Sequence, residues 1–296
     1  MTRVCGVTVT VVLAAFFCAS DASAGVIWYT AESAGGGWSH LYSIDTTTKA
    51  IADRGEVHGQ RYITDLATDA GGELYGVGWN NAYANGTSKL YRITPGGAGD
   101  AADWDILQVA YNRMDRTVNA AVMRGEDLYV ASCTGGFQKL VRDGSPDRWR
   151  VSATGNLGSA SGGDLAFSAD GQKLYVTLSG GSLGTVNFDE SSRDFGKVTA
   201  IGSTGYSQVF GLAWSEEVLY GFTNNNTNYG SSYMVRLNPL TGAASDPVAL
   251  GVAVWGAAAA GGGANPVPEP ATIALLGLGA CVALLRRKRT AMRRCC

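Results

Sequence analysis

A Leu-Tyr pair preceded by a run of small apolar residues returns four times along this chain, and that recurrence restricts the fold more than any other feature. The copies are ITDLATDAGGELYGVGW from Ile63, VNAAVMRGEDLYVAS from Val118, GGDLAFSADGQKLYVTLS from Gly162 and VFGLAWSEEVLYGFT from Val209. Their tyrosines, Tyr75, Tyr129, Tyr175 and Tyr220, lie 54, 46 and 45 residues apart. Tight turns (Asp69–Gly72, Arg124–Asp127, Ala169–Gln172) separate two strand-like runs. A polar, Gly-rich loop then leads to a third: KLYRITP at Lys89, QKLVRDG at Gln138, LGTVNFD at Leu183 and MVRLNPLTG at Met234. Alternating β-branched and aromatic residues bounded by Gly, Asn and Asp are strand signals, and nothing between the chain's two ends sustains a helical period.

A unit of about 45 residues carrying three strands, with weaker alternation for a fourth, predicts an all-β fold built of β-propeller blades. The ends of the body complete the pattern. VIWYTAESAGGGWSHLYSID from Val26 supplies a second and third strand without a first, and VAVWGAAAAGGG from Val252 supplies a lone first strand. Trp255-Gly256-Ala257 then falls in the register of Phe210-Gly211-Leu212. If these termini share a blade, the ring closes without free sheet edges and the count is five. An error of one unit would make it four or six, and a two-sheet sandwich is the rival architecture. The segment LAFSADGQKLYVT, Leu165–Thr177, resembles the YVTN-type bacterial propeller repeats and, less closely, WD-type repeats. That resemblance implies a fold and transfers no function.

The two ends read differently from the body. Residues 1–24 carry Arg3, the apolar core Val4–Ala19 and the small-residue site Ala22-Ser23-Ala24, which predicts a secretory signal peptide with Gly25 as first mature residue. A lipoprotein signal ending at Cys18 is disfavoured by the bulky Ala15-Phe16-Phe17. At the other end, Val267-Pro268-Glu269-Pro270 precedes the uncharged run Ala271–Leu285 and the basic cluster Arg286-Arg287-Lys288-Arg289. As a helix the apolar run would span about 22 Å, short of the ~30 Å hydrocarbon core but able to insert with local thinning. The basic cluster would stay cytoplasmic. The prolines keep the chain before the helix extended.

This arrangement resembles the PEP-CTERM sorting signal of Gram-negative, exopolysaccharide-producing bacteria, over Pro266–Arg289. The resemblance implies recognition by an exosortase-type membrane protease and transient membrane anchoring through the helix. Removal of the helix and basic tail would then deliver the protein to the outer envelope or extracellular matrix. The extra tail Thr290–Cys296 departs from the pattern, and a plain C-terminal anchor is the rival reading. The chain thus divides into a signal peptide (1–24), a propeller (25–265) and a sorting signal (266–296), the last comprising motif 267–270, transmembrane helix 271–285 and basic tail 286–296.

Composition limits what the body can do. Of 23 Lys and Arg, 16 lie between the two ends, against 23 of the 25 Asp and Glu, giving a net charge near −7. That balance disfavours a nucleic-acid partner. Cys133 is the body's one cysteine, so no internal disulfide is available and packing must supply stability.

Candidate chemistry lies in two places. The residue before the apolar pair of each first strand is Asp65, Asn119, Asp164, Gly211 and Gly256 in turn. Asp65, Asn119 and Asp164 could converge at one mouth of the channel as oxygen ligands for Ca²⁺, as in a lactonase-like or other hydrolytic propeller. The plainer reading is that they bond local backbone N–H groups. The loops Thr30–Ser39, Asn80–Ser88 and Asn224–Ser232 should open on one face, and there Trp38, Asn80, Tyr83, Asn224 and Tyr229 offer aromatic faces beside amides, suited to sugars. Solvated loops of no function are the alternative. His40 and His58 sit in no spaced metal motif, no Gly-x-Ser-x-Gly elbow is present, and Cys133 has no recognisable His partner. The expectation is a non-enzymatic binding module without cofactor, polysaccharide being the candidate ligand, with a structural spacer as a further alternative.

Overall fold

Strands β1 (Val26–Glu32), β2 (Ser39–Asp45) and β3 (Ile51–Val57) open the body. Four sets follow: β4 (Ile63–Thr68), β5 (Leu74–Trp79), β6 (Ser88–Pro95) and β7 (Trp104–Gln108); β8 (Ala110–Asn112), β9 (Val118–Arg124), β10 (Asp127–Ser132), β11 (Gly136–Arg142) and β12 (Arg148–Asn156); β13 (Ser161–Phe167), β14 (Leu174–Leu178), β15 (Ser182–Val186) and β16 (Val198–Ser203); β17 (Val209–Ser215), β18 (Val218–Thr223), β19 (Tyr233–Leu237) and β20 (Ala244–Ala249). The last strand is β21 (Val254–Ala259). This is a computed structural model, and it describes residues 25–32, 38–79, 88–95, 104–108, 110–112, 114–145, 147–223 and 232–260.

The strands form five antiparallel blades. Blade 1 is β4-β5-β6-β7, blade 2 is β9-β10-β11-β12, blade 3 is β13-β14-β15-β16 and blade 4 is β17-β18-β19-β20. Blade 5 is β21-β1-β2-β3, with Tyr29 opposite Ala257 and Trp28 opposite Ala258, so both ends of the body share one sheet. Two outer edges carry extra pairing. β8 adds in parallel to β12, and Val57 of β3 pairs with Trp104 of β7. The inner strands β4, β9, β13, β17 and β21 touch in turn around a closed ring.

One hydrophobic cluster fills each space between neighbouring blades. Tyr75, Val77, Met123 and Trp149 pack between blades 1 and 2. Tyr129, Phe137, Phe167 and Phe195 lie between 2 and 3, and Tyr175, Leu183, Leu212 and Leu219 between 3 and 4. Tyr29, Tyr220 and Phe222 lie between 4 and 5, and Leu41, Ile63, Leu66 and Leu74 between 5 and 1. The repeat tyrosines explain themselves here. On β5, β10, β14 and β18 they stand opposite Ala67, Val122, Ala166 and Ala213, where a large ring on one strand faces a smaller residue on the inner one. Blade 5 has Trp28 in that place, opposite Ala258. Thr30 Oγ1 donates to Ile63 O at 3.2 Å and Thr68 Oγ1 to Ala259 O at 2.6 Å, tying the composite blade to blade 1.

Candidate functional site

The centre of the ring is occupied by two carboxyl groups, Asp65 of β4 and Asp164 of β13, both fully buried. An inner strand leaves one edge unpaired, so its N–H groups need acceptors inside the channel. The two aspartates supply them. Asp65 Oδ1 accepts from Leu66 N at 2.8 Å and Ala257 N at 3.2 Å, and its Oδ2 accepts from Ala121 N at 2.7 Å. Asp164 Oδ1 accepts from Leu165 N, and its Oδ2 from Leu212 N. Leu66, Ala121, Leu165, Leu212 and Ala257 hold the same register position in the five blades, so two side chains serve one amide from every blade. The carboxyl groups also hydrogen-bond each other. Burial pushes both well above the usual carboxylate range, and the Asp164 charge adds to the shift at Asp65, so the pair holds a proton between them.

Glycine makes this close approach possible. A Cβ on Gly256 would lie 2.3 Å from Asp65 Cα and 2.5 Å from its Oδ1. The small residue in that register is therefore a packing requirement.

Asn119 does not join the pair. In blade 2 Ala120, opposite Ala131, holds the position that Asp65, opposite Val77, holds in blade 1, and both inner strands carry the same bulge one residue earlier. Asn119 takes the place of Thr64 instead. Its Nδ2 donates to Ser161 O at 3.3 Å, and its Oδ1 has no hydrogen-bond partner. This corrects the expected alignment of Asp65, Asn119 and Asp164. The donor set does not fit Ca²⁺, which takes six to eight oxygens. The aspartate oxygens are committed to main-chain amides and to one another, and no cluster of three His, Cys, Asp or Glu side chains suited to a metal occurs among the described residues. The two aspartates bond the local amides of Leu66 and Leu165, as in the plainer reading, and beyond it the amides of Ala121, Ala257 and Leu212 from other blades.

The face at the start of the inner strands carries the three long loops. Their anchors form a pattern that sequence reading passed over. Ser39 Oγ accepts from Ile63 N at 3.0 Å, Ser88 Oγ from Val118 N at 2.7 Å and Ser232 Oγ from Val254 N at 3.3 Å. Each serine closes a long loop and holds it to the first amide of the next blade's inner strand. The signal was present, since all three loops end in serine. The loops belong to blades 4, 5 and 1, which are consecutive, whereas blades 2 and 3 make short turns there through Gly135 and through Gly180-Gly181. Trp38, directly before Ser39, is 42% exposed. Asn80, Tyr83, Asn224 and Tyr229 lie outside the described residues, as do Ala22, Ala24, Val267–Pro270, Arg286–Arg289 and the 271–285 run. No helix among the described residues is long and apolar enough to cross a membrane.

The remaining candidates lie elsewhere in the fold. His40 contacts Glu56 Oε1 at 3.3 Å and Asp53 Oδ1 at 3.5 Å on blade 5. His58 is exposed in the β3–β4 connection. Cys133 is a half-buried free thiol following β10. Trp149 is buried between blades 1 and 2 and meets Tyr75 edge-on at 5.8 Å, while Trp214 stacks on Tyr175 at 5.6 Å.

Ring closure, blade number and channel packing define a five-bladed β-propeller with four-stranded blades. Residues 266–289 match the PEP-CTERM protein-sorting motif, which marks the chain for export and for recognition by an exosortase, a membrane protein. No curated protein matches the chain. Among solved structures it is similar to a chain of a nidogen/laminin complex, at 13% identity and TM-score 0.47, covering 80% of this chain and 98% of that one. It is also similar to a putative 6-phosphogluconolactonase from Bacteroides uniformis ATCC 8492 (12%, TM-score 0.43, 77% and 83% covered). A second putative 6-phosphogluconolactonase, from Bacteroides fragilis NCTC 9343, is similar at 9% and TM-score 0.44, with 78% and 83% covered. Similarity at this level transfers neither activity nor ligand.

Proposed function

We propose that the propeller is a non-enzymatic binding module of an exosortase-sorted envelope or matrix protein, and that it takes polysaccharide on the face bearing the three long loops. The observation that carries this reading is Trp38, a large aromatic left 42% exposed beside the Ser39 anchor of one of those loops. An indole face stacks on the apolar side of a sugar ring, and amide-rich loops next to it supply hydrogen bonds. Consecutive placement on blades 4, 5 and 1 lets the loops act on one extended chain.

The tether geometry supports the same face. Ala260 N donates to Val26 O at 2.8 Å, so the chain leads toward the sorting motif from the opposite side of the ring. An anchored protein would then present its long loops away from the membrane. A lactonase-like or other hydrolytic channel has less in its favour, because it needs a carboxylate that substrate can reach, and Asp65 and Asp164 are fully buried. The test is binding of residues 25–265 to extracellular polysaccharide from the native host, compared with Trp38→Ala.

A further inference from the structure

We propose that cleavage of the signal peptide creates a charged latch, in which the new α-ammonium of Gly25 pairs with Glu216 and fastens blade 5 to blade 4. The proposal rests on the export reading, with residues 1–24 removed after Ala24, and is independent of the ligand. Gly25 opens β1 at the face opposite the long loops, and the β17–β18 turn of blade 4 lies directly against it. A point one bond from Gly25 Cα lies 2.9 Å from Glu216 Oε1 and 3.1 Å from Thr46 Oγ1. That point is where a Cβ would stand, and the Gly25 nitrogen is bonded to the same Cα, so the new terminus lies within a few ångströms of Glu216 Oε1. Cleavage turns this nitrogen from a neutral amide into a cation, charged at neutral pH, beside a carboxylate already in place.

The corner is built to hold that carboxylate. Thr46 Oγ1 donates to Glu216 Oε2 at 3.1 Å, leaving Oε1 as the oxygen facing Gly25. Thr46 N donates to Gly25 O at 2.5 Å, which fixes the first residue of the mature chain. Glu216 and Glu217 both adopt left-handed backbone, at φ 49° and 64°, in a two-residue turn that Asn and Gly occupy at less strain. Of the other charged groups at the corner, Lys49 donates to Thr46 O and lies over the Tyr220 ring, and Asp45 accepts from the amides of Thr47 and Thr48. Glu216 is left for the new terminus.

Blade 5 is where the latch matters, because it alone is assembled from both ends of the body. A charge pair at its first residue would hold β1 against fraying, and it would exist only after export.

The test compares Gly25–Asn265, released by a protease that leaves Gly25 first, with Ala24–Asn265, each with and without Glu216→Gln. Both contain the whole closed ring. The Gly25 form is expected to melt about 1–3 °C higher at low salt. That gap should vanish in Glu216→Gln and in 1 M salt. Equal melting of the two wild-type forms, or a gap that survives Glu216→Gln, would overturn the latch. N-terminal sequencing of the exported protein separates this from the export reading: a first residue other than Gly25 removes the latch while export stands, and retention of residues 1–24 removes both.

Discussion

Asp65 and Asp164 come from blades 1 and 3, yet their buried carboxyl groups meet at the centre of the ring and together accept an inner-strand amide from each of the five blades. Asp65 alone holds the amides of Leu66 and Ala121 and Asp164 alone those of Leu165 and Leu212, while the Ala257 amide bonds Asp65 and also acts on Asp164. Asp65→Ala and Asp164→Ala therefore each strand two buried N–H groups and should each cost roughly 2 kcal/mol or more. Urea denaturation of residues 25–265 gives both values.

The pair also sets a pH dependence. Both carboxyls are raised by burial, so their shared proton contributes stability that is fully present below the unfolded carboxyl pKa of about 3.9 and is lost as pH rises through the folded value. Asp164→Asn keeps a neutral hydrogen-bonding partner for Asp65 without the second charge. Its melting temperature should therefore fall less than the wild type's between pH 5 and pH 9. Parallel curves would show that the pair does not hold the proton.

Gly256→Ala tests the tightness of the centre. The added methyl would collide with Asp65 Cα, and backbone there cannot swing aside. The expected loss is about 2–3 kcal/mol, measured by denaturation and accompanied by weaker protection of the Ala257 amide in hydrogen exchange.

Arg142 links blades 1 and 2. It reaches Asp69 Oδ2 at 2.8 Å and the Tyr75 hydroxyl at 3.2 Å, and its guanidinium lies over the Trp149 ring. Asp69 is mostly buried while Arg142 is partly open to solvent, so Arg142→Ala should cost about 1–2 kcal/mol, part of it lost packing on Trp149.

Much of the fold was legible because a propeller repeats its errors as well as its signals. The spacing of Tyr75, Tyr129, Tyr175 and Tyr220 marks the second strands, and Trp255-Gly256-Ala257 aligns with Phe210-Gly211-Leu212 as the register expects. Blade 5 was harder to place residue by residue, because Trp28 and not Tyr29 stands in the tyrosine's position. Asn119 falls one residue short of the aspartate position because the run Ala120-Ala121-Val122 offers two apolar pairs, and residue type does not say which of them follows that position. β7 and β8 were also hidden, since edge strands follow no strict alternation. The role of Asp65 and Asp164 was legible only as one of two readings. Deciding it takes the knowledge that amides from other blades meet each carboxylate, which no local pattern contains.

Binding on the long-loop face is the central claim, and co-sedimentation of Gly25–Asn265 with the host's own extracellular polysaccharide, with and without Ca²⁺, tests it most directly. Saturable binding that Trp38→Ala weakens at least several-fold, and that Ca²⁺ leaves unchanged, is the expected result. No binding under either condition, or binding indifferent to Trp38→Ala, would contradict it.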